Sequence, residues 1–178
     1  LAITGNIGVS IAGQAARALN VTGAGDVTFA GPLTDLPTTA IALNKSGAGI
    51  LRLTNTNTHA GATSVSAGTL LVNGSTLSSI NVTGAVLGGT GQIAVATLSG
   101  TSAAARATIS PGDDGVESLT ATGAVTLGTH SRYLWEISDW NAPANSFDQL
   151  LVSNLALTAT PAAPLVISIT PRALTNYS

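Results

Sequence analysis

The phrase Leu19-Asn-Val-Thr-Gly-Ala24 returns as Leu43-Asn-Lys-Ser-Gly-Ala48, Ile80-Asn-Val-Thr-Gly-Ala85 and Leu119-Thr-Ala-Thr-Gly-Ala124. A looser copy is Leu1-Ala-Ile-Thr-Gly-Asn6. The plan is an aliphatic residue, two variable ones, Thr or Ser, Gly, then usually Ala. Starts at 1, 19, 43, 80 and 119 leave gaps of 18, 24, 37 and 39 residues, the last two close to twice 19. Weaker copies, Val65-Ser-Ala-Gly68 and Leu98-Ser-Gly100, fall inside the long gaps. A period of about 20 residues without helical periodicity predicts one coil of a β-solenoid per repeat.

Between the copies, short runs carry strand signals. Leu51 and Leu53 flank Arg52, Ile93 alternates with Val95, and Val125 with Leu127. Tyr133, Trp135 and Ile137 share one face; Arg132, Leu134 and Glu136 share the other. Leu150 and Val152, Leu155 and Leu157, then Leu165, Ile167 and Ile169 complete the series. Gly, Asn, Pro or Ser bounds each run, which is the all-β signature. Residues 14–19 and 103–106 are the best helical stretches, and both are too short to stand alone. Each coil would hold two or three strands stacked about 4.8 Å apart. About nine coils would make a rod on the order of 40 Å long. A Greek-key sandwich also fits the strand spacing; the register of the copied phrase favours the solenoid.

The composition agrees. Of 178 residues, 44% are hydrophobic and only 3% aromatic, as expected of a narrow interior filled by small aliphatic ladders. Charged residues make up 8%, against roughly 25% in an average domain. With mean hydropathy at +0.41, that excludes a charge-rich disordered tail. Six Lys and Arg against eight Asp and Glu cannot build a nucleic-acid-binding stripe. No apolar run reaches the roughly 18 residues of a membrane span. Without Cys there is no disulfide, thiolate metal site or thiol catalysis. Because position 1 is not Met, the chain is expected to start at a processing site or a cut.

Two stretches carry a family resemblance: Lys45-Ser-Gly-Ala-Gly-Ile-Leu-Arg-Leu-Thr54 and Asn57-Thr-His-Ala-Gly-Ala-Thr-Ser-Val-Ser-Ala-Gly-Thr-Leu-Leu-Val-Asn-Gly74. They resemble an autotransporter-associated β-strand repeat. Leu87-Gly-Gly-Thr-Gly91, Ile109-Ser-Pro-Gly112, Tyr133-Leu-Trp-Glu-Ile137 and Asp148-Gln-Leu-Leu-Val152 follow the order usual in that family. Two positions depart from it: His59 stands where an aromatic is usual, and Asp113 where Asn is usual. The resemblance implies a right-handed parallel β-helix, at the exterior of a bacterial cell, in a secreted or surface-displayed protein. It implies neither catalytic residues nor cofactors. Residues 1–132 are expected to form solenoid repeats, and 133–178 C-terminal coils or a cap continuous with them.

Candidate chemistry is sparse. Asp113, Asp114 and Glu117 cluster at Pro111-Gly112-Asp113-Asp114-Gly115, which reads as a turn with solvated carboxylates. As a Ca²⁺ or acid-base site it would need partners from neighbouring coils, with Glu136, Asp139 and Asp148 as the remaining acids considered. Gly23-Ala24-Gly25-Asp26 is a single imperfect copy of a Ca²⁺-binding repeat, and Gly88-Gly89-Thr90-Gly91 lacks the Lys of a phosphate loop. His59 and His130 are the only imidazoles, too few for a structural zinc site.

Five of six aromatics, Tyr133, Trp135, Trp140, Phe147 and Tyr177, lie after position 132. They suggest an aromatic-rich end that caps the solenoid; read instead as a sugar platform, the candidate glycan contacts are Trp135, Trp140 and Tyr133. Asn20, Asn44, Asn73, Asn81 and Asn176 head Asn-x-Ser/Thr triplets and are candidate glycosylation sites, while Thr56, Thr58 and Ser64 could carry O-linked sugar. Asn20, Asn44 and Asn81 share one place in the phrase, so a ladder stacked along a turn is the structural reading.

The leading functional expectation is a structural module, either an adhesin stalk or a self-assembling extracellular fibre subunit. It would continue into neighbouring repeats or associate with copies of itself, because a solenoid ends in open strand edges. A carbohydrate-binding module is the alternative. A polysaccharide-degrading enzyme is the third reading, thinly supported by six scattered basic residues.

Overall fold

A computed structural model of the chain describes residues 1–3, 17–37, 39–139 and 146–175. Among these residues there is no helix, hence none long and apolar enough to cross a membrane.

After β1 (Ala2–Ile3), the described residues make seven turns, each laying one strand on each of two sheets. The pairs are β2 (Arg17–Val21) with β3 (Val27–Phe29), then β4 (Ile41–Lys45) with β5 (Ile50–Leu53). A short β6 (Thr56–Asn57) precedes β7 (Thr63–Val65) and β8 (Thr69–Val72). Next come β9 (Ser75–Val82) with β10 (Val86–Gly89), and β11 (Gln92–Leu98) with β12 (Ala107–Pro111). The last are β13 (Ser118–Leu127) with β14 (Ser131–Asp139), and β15 (Gln149–Leu157) with β16 (Val166–Thr175).

One sheet runs β1-β3-β5-β8-β10-β12-β14-β16 and the other β15-β13-β11-β9-β7-β4-β2. Every pairing between these strands is parallel. A Greek-key sandwich is built from antiparallel strands, so this is the β-solenoid.

The register shows why the copied phrase recurs. Leu19, Leu43, Thr63, Ile80, Ala96, Val125 and Leu155 form one column through the second sheet. Leu51, Leu70, Leu87, Ile109, Tyr133 and Ile167 form its counterpart on the first. Val27 precedes Leu51 in this column, and successive members from Val27 are 24, 19, 17, 22, 24 and 34 residues apart, so coil length varies around the expected 20 and the last step is the longest; seven full coils lie among the described residues. Leu43, Leu51, Leu70, Leu87 and Ile109 are fully buried; each such side chain contributes roughly 1.5–3 kcal/mol.

The copies starting at 19, 43 and 80 align, and their Thr/Ser-Gly begins the bend between sheets. There each amide bonds back to the preceding coil: Ser46 to the Val21 carbonyl at 3.0 Å and Thr83 to Val65 at 2.8 Å. Two copies are not equivalent. Leu1-Ala-Ile lies on the other sheet, where Ala2 pairs with Thr28. In the copy at 119–124, Thr122-Gly123 occupies a bulge inside β13, between Ala121 and Ala124. A register shift also breaks the expected Ile93/Val95 alternation: Ala96 is buried and Val95 is 39% exposed.

Candidate functional site

Among the described residues, the last coil leaves its interior columns uncovered. Leu155 and Leu157 continue the interior columns of Val125 and Leu127, and Ile167 and Ile169 continue those of Tyr133 and Trp135. Within the stack such positions are closed by the next coil. Here Leu155, Leu157, Ile167 and Ile169 are 46%, 60%, 64% and 56% exposed. Among the described residues β15 and β16 are also the terminal strands of their sheets, so one edge of each lacks a neighbouring strand there.

The aromatics sit one coil further in. Tyr133 packs against the core, and burial pushes its hydroxyl up to about 12. The Trp135 indole N–H donates to the Asp148 carbonyl at 2.9 Å, and its ring meets Phe147 with centroids 6.1 Å apart. Neither covers the exposed aliphatic residues of the last coil. Trp140, Tyr177 and Asn176 lie outside the described residues.

The acidic turn is a strap. Residues 112–114 fold back over the outer face of the first sheet, with Gly89 and Gly112 exchanging two backbone hydrogen bonds of 2.9 Å. The Asp113 carboxylate accepts from Arg52 Nε and a terminal guanidinium nitrogen at 3.0 and 3.1 Å, and from Asn73 Nδ2 at 2.7 Å. Arg52 lies on β5, three strands along from β12, so the strap joins coils that do not touch through the ladder. The Arg52 guanidinium holds the Asp113 carboxyl below its ordinary value. Asp114 pairs with Arg172 at 3.3 Å, and Arg172 with Glu136 at 2.8 Å. Glu117 accepts the Asp113 amide at 2.8 Å. The solvated reading of this turn thus gives way at Asp113 to an ion pair whose partners stand 61 residues apart in the chain, a separation that hid it from sequence.

Asp148 is 2% exposed and takes two backbone amides, Glu117 N–H and Glu136 N–H, each at 3.0 Å. Those bonds favour the charged form, but burial outweighs them and raises its carboxyl to about 6. A carboxyl raised by folding binds its proton more tightly in the folded state, so stability should rise as pH falls from about 7 to about 4. The expected gain is up to about 3 kcal/mol. Asp113 acts below this window: its contribution is present above the unfolded-state value and is lost as pH falls through its depressed one. Urea unfolding at about pH 4.5 and about pH 7.5 measures the effect; equal stability at both, or an unchanged difference in Asp148→Asn, would refute the assignment.

The remaining candidates are structural in their surroundings. The His59 ring is fully buried, its Nε2 at 3.0 Å from Thr63 Oγ1, which in turn lies 2.7 Å from Ser78 Oγ; burial lowers its basicity. His130 sits at the β13–β14 bend with φ 49°. Asp26 accepts the Ile50 amide at 2.9 Å. Gly88–Gly91 crosses from β10 to the next bend. Asn44 Nδ2 donates to Asn20 Oδ1 at 2.9 Å, and the column continues through Ser64 to Asn81; the stacked asparagines lie on strands, not on a turn. Asn73 is engaged at both amide atoms, by Asp113 and by the Thr90 N–H at 3.3 Å. Thr56, Thr58 and Ser64 are exposed.

Sequence reasoning missed Lys45. It occupies an interior column between Val21 and Val65, is 1% exposed, and donates from Nζ to the carbonyls of Gly47 and, at 3.2 Å, Ala67. Burial lowers its basicity.

A family model described as a passenger-associated-transport-repeat matches residues 43–72. Those residues are similar to an autotransporter-type repeat. The match spans two coils, from within β4 through β8, and includes Lys45, Asn57 and His59. Comparison with curated proteins finds no match. A repeat of this description suggests a structural repeat of an autotransporter-type passenger domain.

Proposed function

We propose that this chain is a non-catalytic structural segment, a stalk or fibre unit, of an exported bacterial surface protein, and that its C-terminal end is a stacking face for another parallel coil. The exposed interior columns Leu155, Leu157, Ile167 and Ile169 carry this reading. They match the columns beneath them in spacing and chemistry, and a further coil of the same kind would bury them as Val125 and Leu127 are buried. The low charge of the chain opposes such contact weakly. That Asp113 and Asp114 are held in ion pairs with Arg52 and Arg172 supports a mechanical role for the acidic turn.

Light scattering and negative-stain electron microscopy at rising concentration test the end face. Wild-type protein should associate end to end, and the pair Ile167→Glu and Ile169→Glu, now charged on that face, should remain monomeric. Monodisperse wild-type monomer at high concentration would sink association between copies of this chain.

A further inference from the structure

Six cations serve this chain. Arg17 and Lys45 are buried, and Arg52 and Arg172 are in ion pairs. The other two, Arg106 and Arg132, line one groove on the outer face of the first sheet, and among the described residues neither has a carboxylate within 4.0 Å. We infer that this groove is a binding site for an acidic glycan, with Arg106 and Arg132 receiving a carboxylate or sulfate of the sugar chain.

The two guanidiniums are positioned but not consumed. Arg106 uses one terminal nitrogen on the carbonyls of Ser131, at 3.4 Å, and Pro164, at 3.0 Å. Arg132 uses Nε on Thr108 Oγ1 at 3.2 Å. Arg106, just before β12, reaches toward Ser131 and Pro164 on the β14 and β16 side, and Arg132 leans from β14 back over Thr108 of β12. Each retains an outer nitrogen for an incoming oxyanion, and the planar guanidinium fork suits a carboxylate or sulfate.

The groove has a volume of about 350 Å³ and follows the solenoid axis. Its floor passes through Val86, Thr108, Arg132 and Val166, which are paired in one column, with Gly68 at the far end. Four strand steps from β8 to β16 span roughly 19 Å, several sugar rings long. Strands β8, β10, β12 and β14 are paired on both sides, so along these four strands the floor offers no free backbone for an extended peptide to join; only its β16 end borders an open edge. What remains is a shallow surface of methyl groups and hydroxyls with two cations, suited to a ring polymer bearing anions. The inference stands on this groove and is independent of the stacking-face reading.

Calorimetric titration of the whole chain at low salt tests it, with a four-residue oligogalacturonate, a sulfated oligosaccharide, an uncharged oligosaccharide of equal length, and inorganic sulfate. One of the acidic oligosaccharides should bind and the uncharged one should not, with affinity falling as salt rises. Arg132→Gln should weaken binding tenfold or more. Ala104→Glu, which puts a carboxylate on the exposed groove wall without removing any bond of either arginine, should do the same with an unchanged melting temperature. The proposal fails if neither acidic oligosaccharide binds at millimolar concentration, or if binding survives both substitutions. Sulfate binding as tightly as the oligosaccharides would replace the glycan with a small anion and overturn the assignment.

Discussion

Gly91→Ala is expected to destabilise the solenoid by at least about 3 kcal/mol, or to prevent its central coils from stacking. A Cβ at this position would lie only 1.9 Å from the Gly74 carbonyl oxygen, against a lower limit near 3.0 Å for real contacts. The obstacle is backbone of the preceding coil, not a side chain that can swing away. That backbone is itself fixed, because Gly74 N–H bonds to the Leu53 carbonyl and Gln92 N–H to the Gly74 carbonyl, both at 2.9 Å. Relieving the clash must therefore push adjacent coils apart and break ladder bonds on either side. Gly25→Ala and Gly115→Ala are the controls: nothing lies within 4 Å of a Cβ at either position, so each should change stability by less than about 0.5 kcal/mol. Urea unfolding of the three variants decides it. A Gly91→Ala protein as stable as the controls would show that the bends tolerate a wider spacing than the structure allows.

This contrast marks what the sequence could convey. The parallel solenoid was legible because one column was spelled three times with the same letters, at Leu19, Leu43 and Ile80, each followed by the Thr/Ser-Gly that opens a bend. Gly25 and Gly91 look alike in such a chain, since which glycine touches the coil below depends on the bend path. The copy at 119–124 misled for a related reason: Thr-Gly suits a bulge as well as a bend, and residue type alone does not choose.

Polar side chains were the least legible. Lys45 reads as a surface residue because lysines usually are, yet strand parity turns it inward, where two carbonyls of successive bends receive its ammonium. Asp113 reads as a solvated turn residue because its partner, Arg52, is 61 positions away and only the stacking distance brings them together. The end face was anticipated as a place where bulky aromatics close the stack. Among the described residues the rings of Tyr133, Trp135 and Phe147 close the coil before it, and aliphatic side chains are what the last coil presents.

Asn57 offers the second large effect, and one that separates polar bonding from packing. Replacing it by Leu, which preserves volume, should cost about 3 kcal/mol, nearly as much as replacing it by Ala. The side chain is fully buried and saturated. Its Oδ1 accepts the Leu33 N–H at 2.9 Å, and its Nδ2 donates to the carbonyls of Asn55 at 2.7 Å and Ser75 at 3.0 Å. It thus ties its own coil to the one before and the one after, beside the two-residue ladder in which β6 pairs with Ser75 and Thr76 of β9. Leu would fill the space yet strand the Leu33 amide, and a buried unpaired N–H costs about 1–3 kcal/mol by itself. Loss of the two donations adds the remainder. If the interior here were held by packing alone, Leu would restore what Ala loses. Equilibrium unfolding in urea distinguishes the cases, with hydrogen exchange at the Leu33 amide as a local reporter that should quicken in both variants. An Asn57→Leu protein within about 0.5 kcal/mol of wild type, with Leu33 still protected, would mean that the bends of this repeat are held by shape and not by the asparagine that pins them.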